Sequence, residues 1–242
     1  MTGEDNYILA VDTATPCSTV ALVSGTRVRG KVLALLSVSS SVTHSRRLLV
    51  AIERLLDDCE VARGDIQGFA IGLGPGSFTG LRIGMATVKG LATAAGKPLY
   101  GVSTLDIIAA SCAGDSRLIC SVLDARKKEV YAAFYRTNNN GVPQRVSDIT
   151  VMAPERLAGQ IAEPVFMVGD GLFAYKSLWQ EQLGDRMHCA PVDRWSPSAA
   201  TLGLMAGELR QQNRHLDTAS ATPLYVRASD AELNLKMSSA GE

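Results

Sequence analysis

The sequence has no excess of either charge. Over 242 residues, 24 Lys and Arg stand against 24 Asp and Glu, and the basic clustering at Arg126-Lys127-Lys128 is brief. A stand-alone nucleic-acid binder shows a basic surplus or stripe, so this balance argues against that class. The three cations read as the solvated edge of a hairpin. No CxxC pair occurs among the five cysteines, Cys17, Cys59, Cys112, Cys120 and Cys189; odd in number and scattered, they suit reduced, mostly buried thiols. No apolar run approaches the length of a membrane span, and Met1 to Asn6 is polar and acidic rather than leader-like. The expectation is a cytoplasmic protein without membrane contact. The three histidines, His44, His188 and His215, lie far apart and form no HxxxH or HExxH pair. A GxxxxGK[ST] phosphate loop is absent too, since Lys89 lies ten residues beyond Thr79.

What is present is an ordinary globular composition, 46% hydrophobic and 20% charged. A chain of this length buries roughly 70% of its unfolded surface, so stability requires neither disulfide nor metal. Hydrophobic patterning predicts strands at 7–11, 18–23 and 27–36, a helix over 45–59, a strand at 68–73, a helix to Ala95, a strand at 99–102 and a helix from Ser103 to about Ala113. The second half repeats this order. Strands are predicted at 117–123, 130–136 and about 144–150, the last entered through the turn Asn138-Asn139-Asn140-Gly141. A helix from Pro154, a strand at 165–168, a helix over 172–182, a short strand at 187–190 and a long helix over 197–212 follow. The first strand of each half ends on an acid, Asp12 and Asp124. Two βββαβα units imply a duplicated α/β fold with a cleft between the halves, the usual place for a ligand or partner.

The run Gly72-Leu73-Gly74-Pro75-Gly76-Ser77-Phe78-Thr79-Gly80 joins a strand to a helix. Unpaired amides there suit an anion, whereas glycines also serve tight strand-to-helix packing. Asp12, Gly74, Gly76 and Ser77 are therefore candidates for a vestigial ligand contact. The competing role of Asp12 is to tie the turn amides of Thr13 and Ala14. His44 reads as helix entry rather than a base, because no Ser or Cys elbow accompanies it.

Several segments together carry a family resemblance: Ile8-Leu9-Ala10-Val11-Asp12-Thr13-Ala14, His44-Ser45, Gly74-Pro75-Gly76-Ser77-Phe78-Thr79-Gly80-Leu81-Arg82-Ile83-Gly84, Lys89-Gly90-Leu91-Ala92 and Pro223-Leu224-Tyr225-Val226-Arg227. Over nearly the whole chain the sequence resembles the TsaB (YeaZ) family of the bacterial tRNA threonylcarbamoyladenosine machinery. The resemblance implies the duplicated, RNase H-like domains of the actin-like and hexokinase-like ATPase fold. It implies a first domain over 1–103, completed by about 197–228, a second over 104–196, and a polar tail over 229–242. It also implies a partner of the same fold, TsaD, which performs the transfer, with TsaE as the ATPase. A homodimer is implied when TsaD is absent, and tRNA is reached only through the complex. In TsaD the segment after the glycine-rich helix carries two metal-binding histidines one helical turn apart; here those positions are Thr104 and Ile108, with Asp106 between them. Isoleucine has no lone pair to donate, and a lone carboxylate is a weak transition-metal site. No catalytic residue, metal or cofactor is therefore expected. The alternative is an actin-fold small-molecule kinase or a glycoprotease-like hydrolase.

The helices over 45–59 and 79–95 are apolar on more than one face, which requires two covers. The expected partner surface comprises Leu49, Leu56, Leu81, Met85, Val88 and Ala92, with Ile83 turned towards the protein's own sheet.

Overall fold

The computed structural model describes residues 6–39 and 45–227. His44 and the polar tail over 229–242 lie outside the described residues. The first half contains strands β1 (Tyr7–Asp12), β2 (Cys17–Gly25) and β3 (Gly30–Ser39), helix α1 (Ser45–Asp58), β4 (Ile66–Gly72), α2 (Phe78–Ala95), β5 (Leu99–Val102) and α3 (Thr104–Ala110). The second contains β6 (Leu118–Arg126), β7 (Glu129–Thr137), β8 (Pro143–Arg145), β9 (Thr150–Met152), α4 (Pro154–Gly159), β10 (Val165–Val168), α5 (Gly171–Leu183), β11 (Met187–Cys189) and α6 (Ala199–Gln211).

The two sheets have one plan. The first runs β3-β2-β1-β4-β5, and the second β8-β7-β6-β10-β11 with β9 added against β7. In each, a three-stranded antiparallel meander is followed by two parallel strands. This is the duplicated RNase H-like arrangement of the actin-like fold. The predicted third strand of the second half is interrupted: after Arg145 the chain leaves the ladder and rejoins it at Thr150. Between these points the Ser147 hydroxyl accepts the Phe134 amide at 2.9 Å, replacing a strand bond with a side-chain one. Likewise β3 starts at Gly30 rather than Arg27, because the Thr26 amide donates to the Arg29 carbonyl and closes a turn there.

Both faces of the first sheet are covered, so β1 is apolar at consecutive positions rather than alternate ones. Leu9 and Val11 pack under α1 and α2, whereas Ile8 and Ala10 pack under α6. A Cβ on Gly207 would lie 1.8 Å from the Gly25 carbonyl oxygen, and one on Gly203 2.6 Å from a Val23 methyl; these two glycines let α6 seat against β2. Helices are exchanged between the halves. The last helix of the second repeat, α6, lies on the first sheet, while Leu105, Ile108 and Ala109 of α3 enter the second core.

The helix faces differ from the sequence expectation. Leu56, Leu81, Met85, Val88 and Ala92 are buried within the chain itself, and all but Leu81 join Leu9, Val11 and Ile71 in the core under the first sheet. They are not an outward surface. Ile83, expected against the protein's own sheet, is half-buried and packs at the edge of that core. The outward positions are Leu49 and Val50 on α1, 49% and 61% exposed, and Ala86, Gly90 and Ala94 on α2. A helical wheel of small and apolar residues defines two faces without saying which meets the sheet. Gly80 and Gly84 decide it here, since a Cβ on either would strike Thr13 at 2.1 and 2.3 Å. Only that side of α2 can approach the β1–β2 turn.

Candidate functional site

β1 ends at Asp12, which is wholly buried. One carboxylate oxygen accepts the Ala14 amide at 2.8 Å and the other accepts the Thr104 hydroxyl at 2.9 Å. Thr104 in turn accepts the Gly74 amide at 3.2 Å, and its own amide donates to the Gly74 carbonyl at 2.8 Å. Burial pushes the Asp12 carboxyl up to about 6, partly offset by the Ala14 and Thr104 hydrogen bonds. The acid thus ties its own turn to the glycine-rich strand end and to the start of α3. Ser77 caps α2 by accepting the Gly80 amide at 3.2 Å, and its amide donates to the Ala14 carbonyl at 2.7 Å. Gly74, Gly76 and Ser77 are thereby held against the β1–β2 turn.

The second half mirrors this corner with one difference. Asp124 accepts the Arg126 amide at 2.8 Å and pairs with its guanidinium at 3.1 Å, while the Asp124 amide donates to Asp170 at 2.9 Å. Burial pushes Asp170 up to about 6; the Asp124 amide bond opposes this and the Asp124 charge adds to it. Asp170 was not singled out from the sequence. The repeat was the available signal: Gly169-Asp170-Gly171 follows β10 as the glycine-rich run follows β4.

Between the two corners lies a cleft of about 630 Å³, lined by Gly76, Ser77 and Phe78 from the first half and Asp124, Arg126 and Asp170 from the second. The chain's last described segment crosses its mouth. Leu216 donates its amide to Leu99 at 2.8 Å, Lys89 Nζ donates to the carbonyls of Ala219 and Ala221 at 3.1 and 3.0 Å, and the Leu224 amide donates to Leu73 at 2.8 Å. Tyr225 then packs on Phe78, ring centroids 5.4 Å apart, and Arg227 pairs with Glu129 at 2.9 Å across the cleft. Pro223 to Arg227, noted in the sequence only as a motif, is a strap.

The remaining predicted positions do not gather here. Ile108 is buried in the second core, and Asp106 accepts the Tyr135 hydroxyl at 2.7 Å. His188 on β11 and His215 in the loop after α6 are both exposed, and no group of three metal-ligating side chains exists among the described residues. Burial pushes the Cys112 thiol up to about 11 and Cys120 to about 12, which keeps both protonated and unreactive.

A two-lobed chain with repeated RNase H-like sheets, an acid at or near the end of each first strand and a glycine-rich entry to α2 is a protein of the actin-like fold. Residues 38–235 match the family model described as TsaD, tRNA N6-adenosine threonylcarbamoyltransferase. The chain is 32% identical over 226 residues to the tRNA threonylcarbamoyladenosine biosynthesis protein TsaB of Escherichia coli K12, covering 91% of this chain and 94% of that one. It is 29% identical to the TsaB of Bacillus subtilis, covering 93% and 96%. Among solved structures, YeaZ from Pseudomonas aeruginosa superimposes with a TM-score of 0.72 at 30% identity, covering 91% of this chain and 99% of that one. The chain belongs to the TsaB (YeaZ) family.

Proposed function

We propose that this chain is a non-catalytic subunit in threonylcarbamoyladenosine formation on tRNA, binding and supporting a TsaD-type transferase that shares its fold. The observation that carries this reading is the fate of the two positions where TsaD presents its histidine pair. Thr104 spends its hydroxyl on Asp12, and Ile108 is enclosed in the core. Neither offers a donor to a metal or substrate, and Asp12 itself is wrapped rather than presented. TsaE, as the ATPase, completes the assembly, which works in the cytoplasm.

The partner surface in this reading is the outer side of α1 and α2, centred on Leu49, Val50, Ala86 and Gly90. Nothing within 4 Å surrounds a Cβ placed on Gly90, so no contact within the described chain accounts for a glycine there. Close approach of a partner helix does account for it. The same face supports a homodimer when TsaD is absent.

The test is co-purification with the TsaD of the same organism, followed by reconstituted transfer to tRNA with and without this chain. Omission is expected to remove most product formation, and Asp12→Asn to leave it largely intact. ATP turnover by this chain alone, abolished by Asp12→Asn, would instead establish the kinase alternative.

A further inference from the structure

The β6–β7 hairpin breaks the local rule for its turn. Arg126 pairs with Glu129, leaving Lys127 and Lys128 as a two-residue loop. Both have positive φ, 51° and 60°, and Arg126 before them has 60°. Two-residue turns of this hand normally carry Asn-Gly or Asp-Gly, which tolerate the left-handed region. At its next hairpin, a different turn over Asn138 to Gly141, the chain places glycine at the position that takes the left-handed region, Gly141 with φ 76°. Three consecutive cations are therefore not what the backbone asks for, and a broken local rule points to a use outside the fold.

The position of the hairpin indicates that use. Arg126 lines the interdomain cleft, together with Arg227, Phe78 and Tyr225. The acids nearby are already engaged: Asp124 by Arg126, Glu129 by Arg227, and Asp170 by the Asp124 amide. Lys127 has a partner within the chain, and both lysines are exposed. Phe78 and Tyr225 remain 37% and 44% exposed beside a cleft of about 630 Å³, and Arg82 lies over Phe78 at 3.9 Å. Cations at the edge of an aromatic-lined opening match the chemistry of a single-stranded nucleic acid, which offers phosphates outside and a base face to stack.

We infer that the cleft mouth contacts single-stranded RNA, with an unpaired base against Phe78 and Tyr225 and backbone phosphates on Arg126, Lys127 and Lys128. That the RNA is a tRNA loop rests on the function proposed above. The inference departs from the expectation that tRNA is reached only through the partner. A local cluster suffices for such a contact, so the neutral net charge of the whole chain does not oppose it.

The test is fluorescence anisotropy with a labelled tRNA anticodon stem-loop, titrated at several salt concentrations with the full chain alone and in its TsaD complex. The informative variant is Lys127→Asn with Lys128→Gly, which installs the residues the turn prefers. It is expected to melt no lower than the parent while binding RNA roughly fivefold more weakly, with the log–log salt slope reduced by about 1 to 2. Phe78→Ala is expected to weaken binding without changing that slope. Unchanged affinity in the double variant, or no RNA binding by the parent in either form, would overturn the inference. Equal competition by polyglutamate would also overturn it, assigning the surface to an acidic protein segment. RNA binding of the expected kind by a chain that fails to bind TsaD would support this inference while sinking the subunit reading.

Discussion

At the scale of single residues, burial without a counter-charge governs Asp12. Its carboxyl is raised from 3.8 to about 6, chiefly by desolvation. A raised acid binds its proton more tightly in the folded state, so its contribution to stability is full below about pH 4 and is lost as pH rises through about 6. A shift of about 2 units corresponds to at most about 3 kcal/mol. Asp12→Asn keeps an acceptor for the Ala14 amide and carries no charge to desolvate. We expect this variant to gain on the order of 2 kcal/mol relative to the parent on going from pH 4.5 to pH 8, read from urea unfolding at both values. Equal effects at the two pH values would contradict this. Asp170, raised in the same direction, leaves part of the pH dependence in place. The sequence singled out Asp12 as a tie for its own turn, and the Ala14 bond is such a tie. It could not disclose Thr104 as the second partner, because 92 residues separate the two and only the packing of α3 joins them.

At the scale of elements, α2 separates core from surface within one helix. Met85 and Ala92 face the sheet, so Met85→Glu or Ala92→Arg is expected to destabilise the domain by roughly 3 kcal/mol or more, since a buried charge without a partner is poorly tolerated. Thermal unfolding of the isolated chain checks this. Gly90→Glu and Leu49→Arg sit on the open side; each is expected to change stability by about 0.5 kcal/mol or less yet to abolish association measured by sedimentation and TsaD co-purification. Full association by both variants would move the proposed interface elsewhere. The helix itself was legible from its apolar content and from Gly96, which ends it with φ 61°. The inward face was not. Apolar residues on both sides give the same periodicity, and only the contact of Gly80 and Gly84 with Thr13 breaks the tie.

At the scale of the molecule, the segment that runs from Leu216 into the strap links the halves: Leu216 packs at the first core and Val226 at the second. Removing residues 216–242 is expected to cost about 1–3 kcal/mol and to speed hydrogen exchange around the cleft, because the apolar contacts of Leu216 with the first core and of Val226 with the second are lost together. Arg227→Ala alone is expected to cost less than about 1 kcal/mol, since its ion pair with Glu129 is partly exposed. Urea unfolding with exchange mass spectrometry distinguishes the two, and equal effects would show the strap to be held by that ion pair.

The sequence by itself determined the duplicated order of strands and helices, the acid at or near the end of each first strand and the glycine-rich entry to α2. These are local: alternation, turn chemistry and spacing act over a few residues and survive without the fold. Tertiary structure alone decided the exchange of α3 and α6 between the halves, the inward face of α2, the hydrogen bond from the Asp124 amide to Asp170 and the crossing of the cleft mouth by Pro223 to Arg227. Each depends on which surfaces meet across long separations in the chain. There, burial, close backbone approach and the satisfaction of distant polar groups choose among arrangements that the local pattern leaves equivalent.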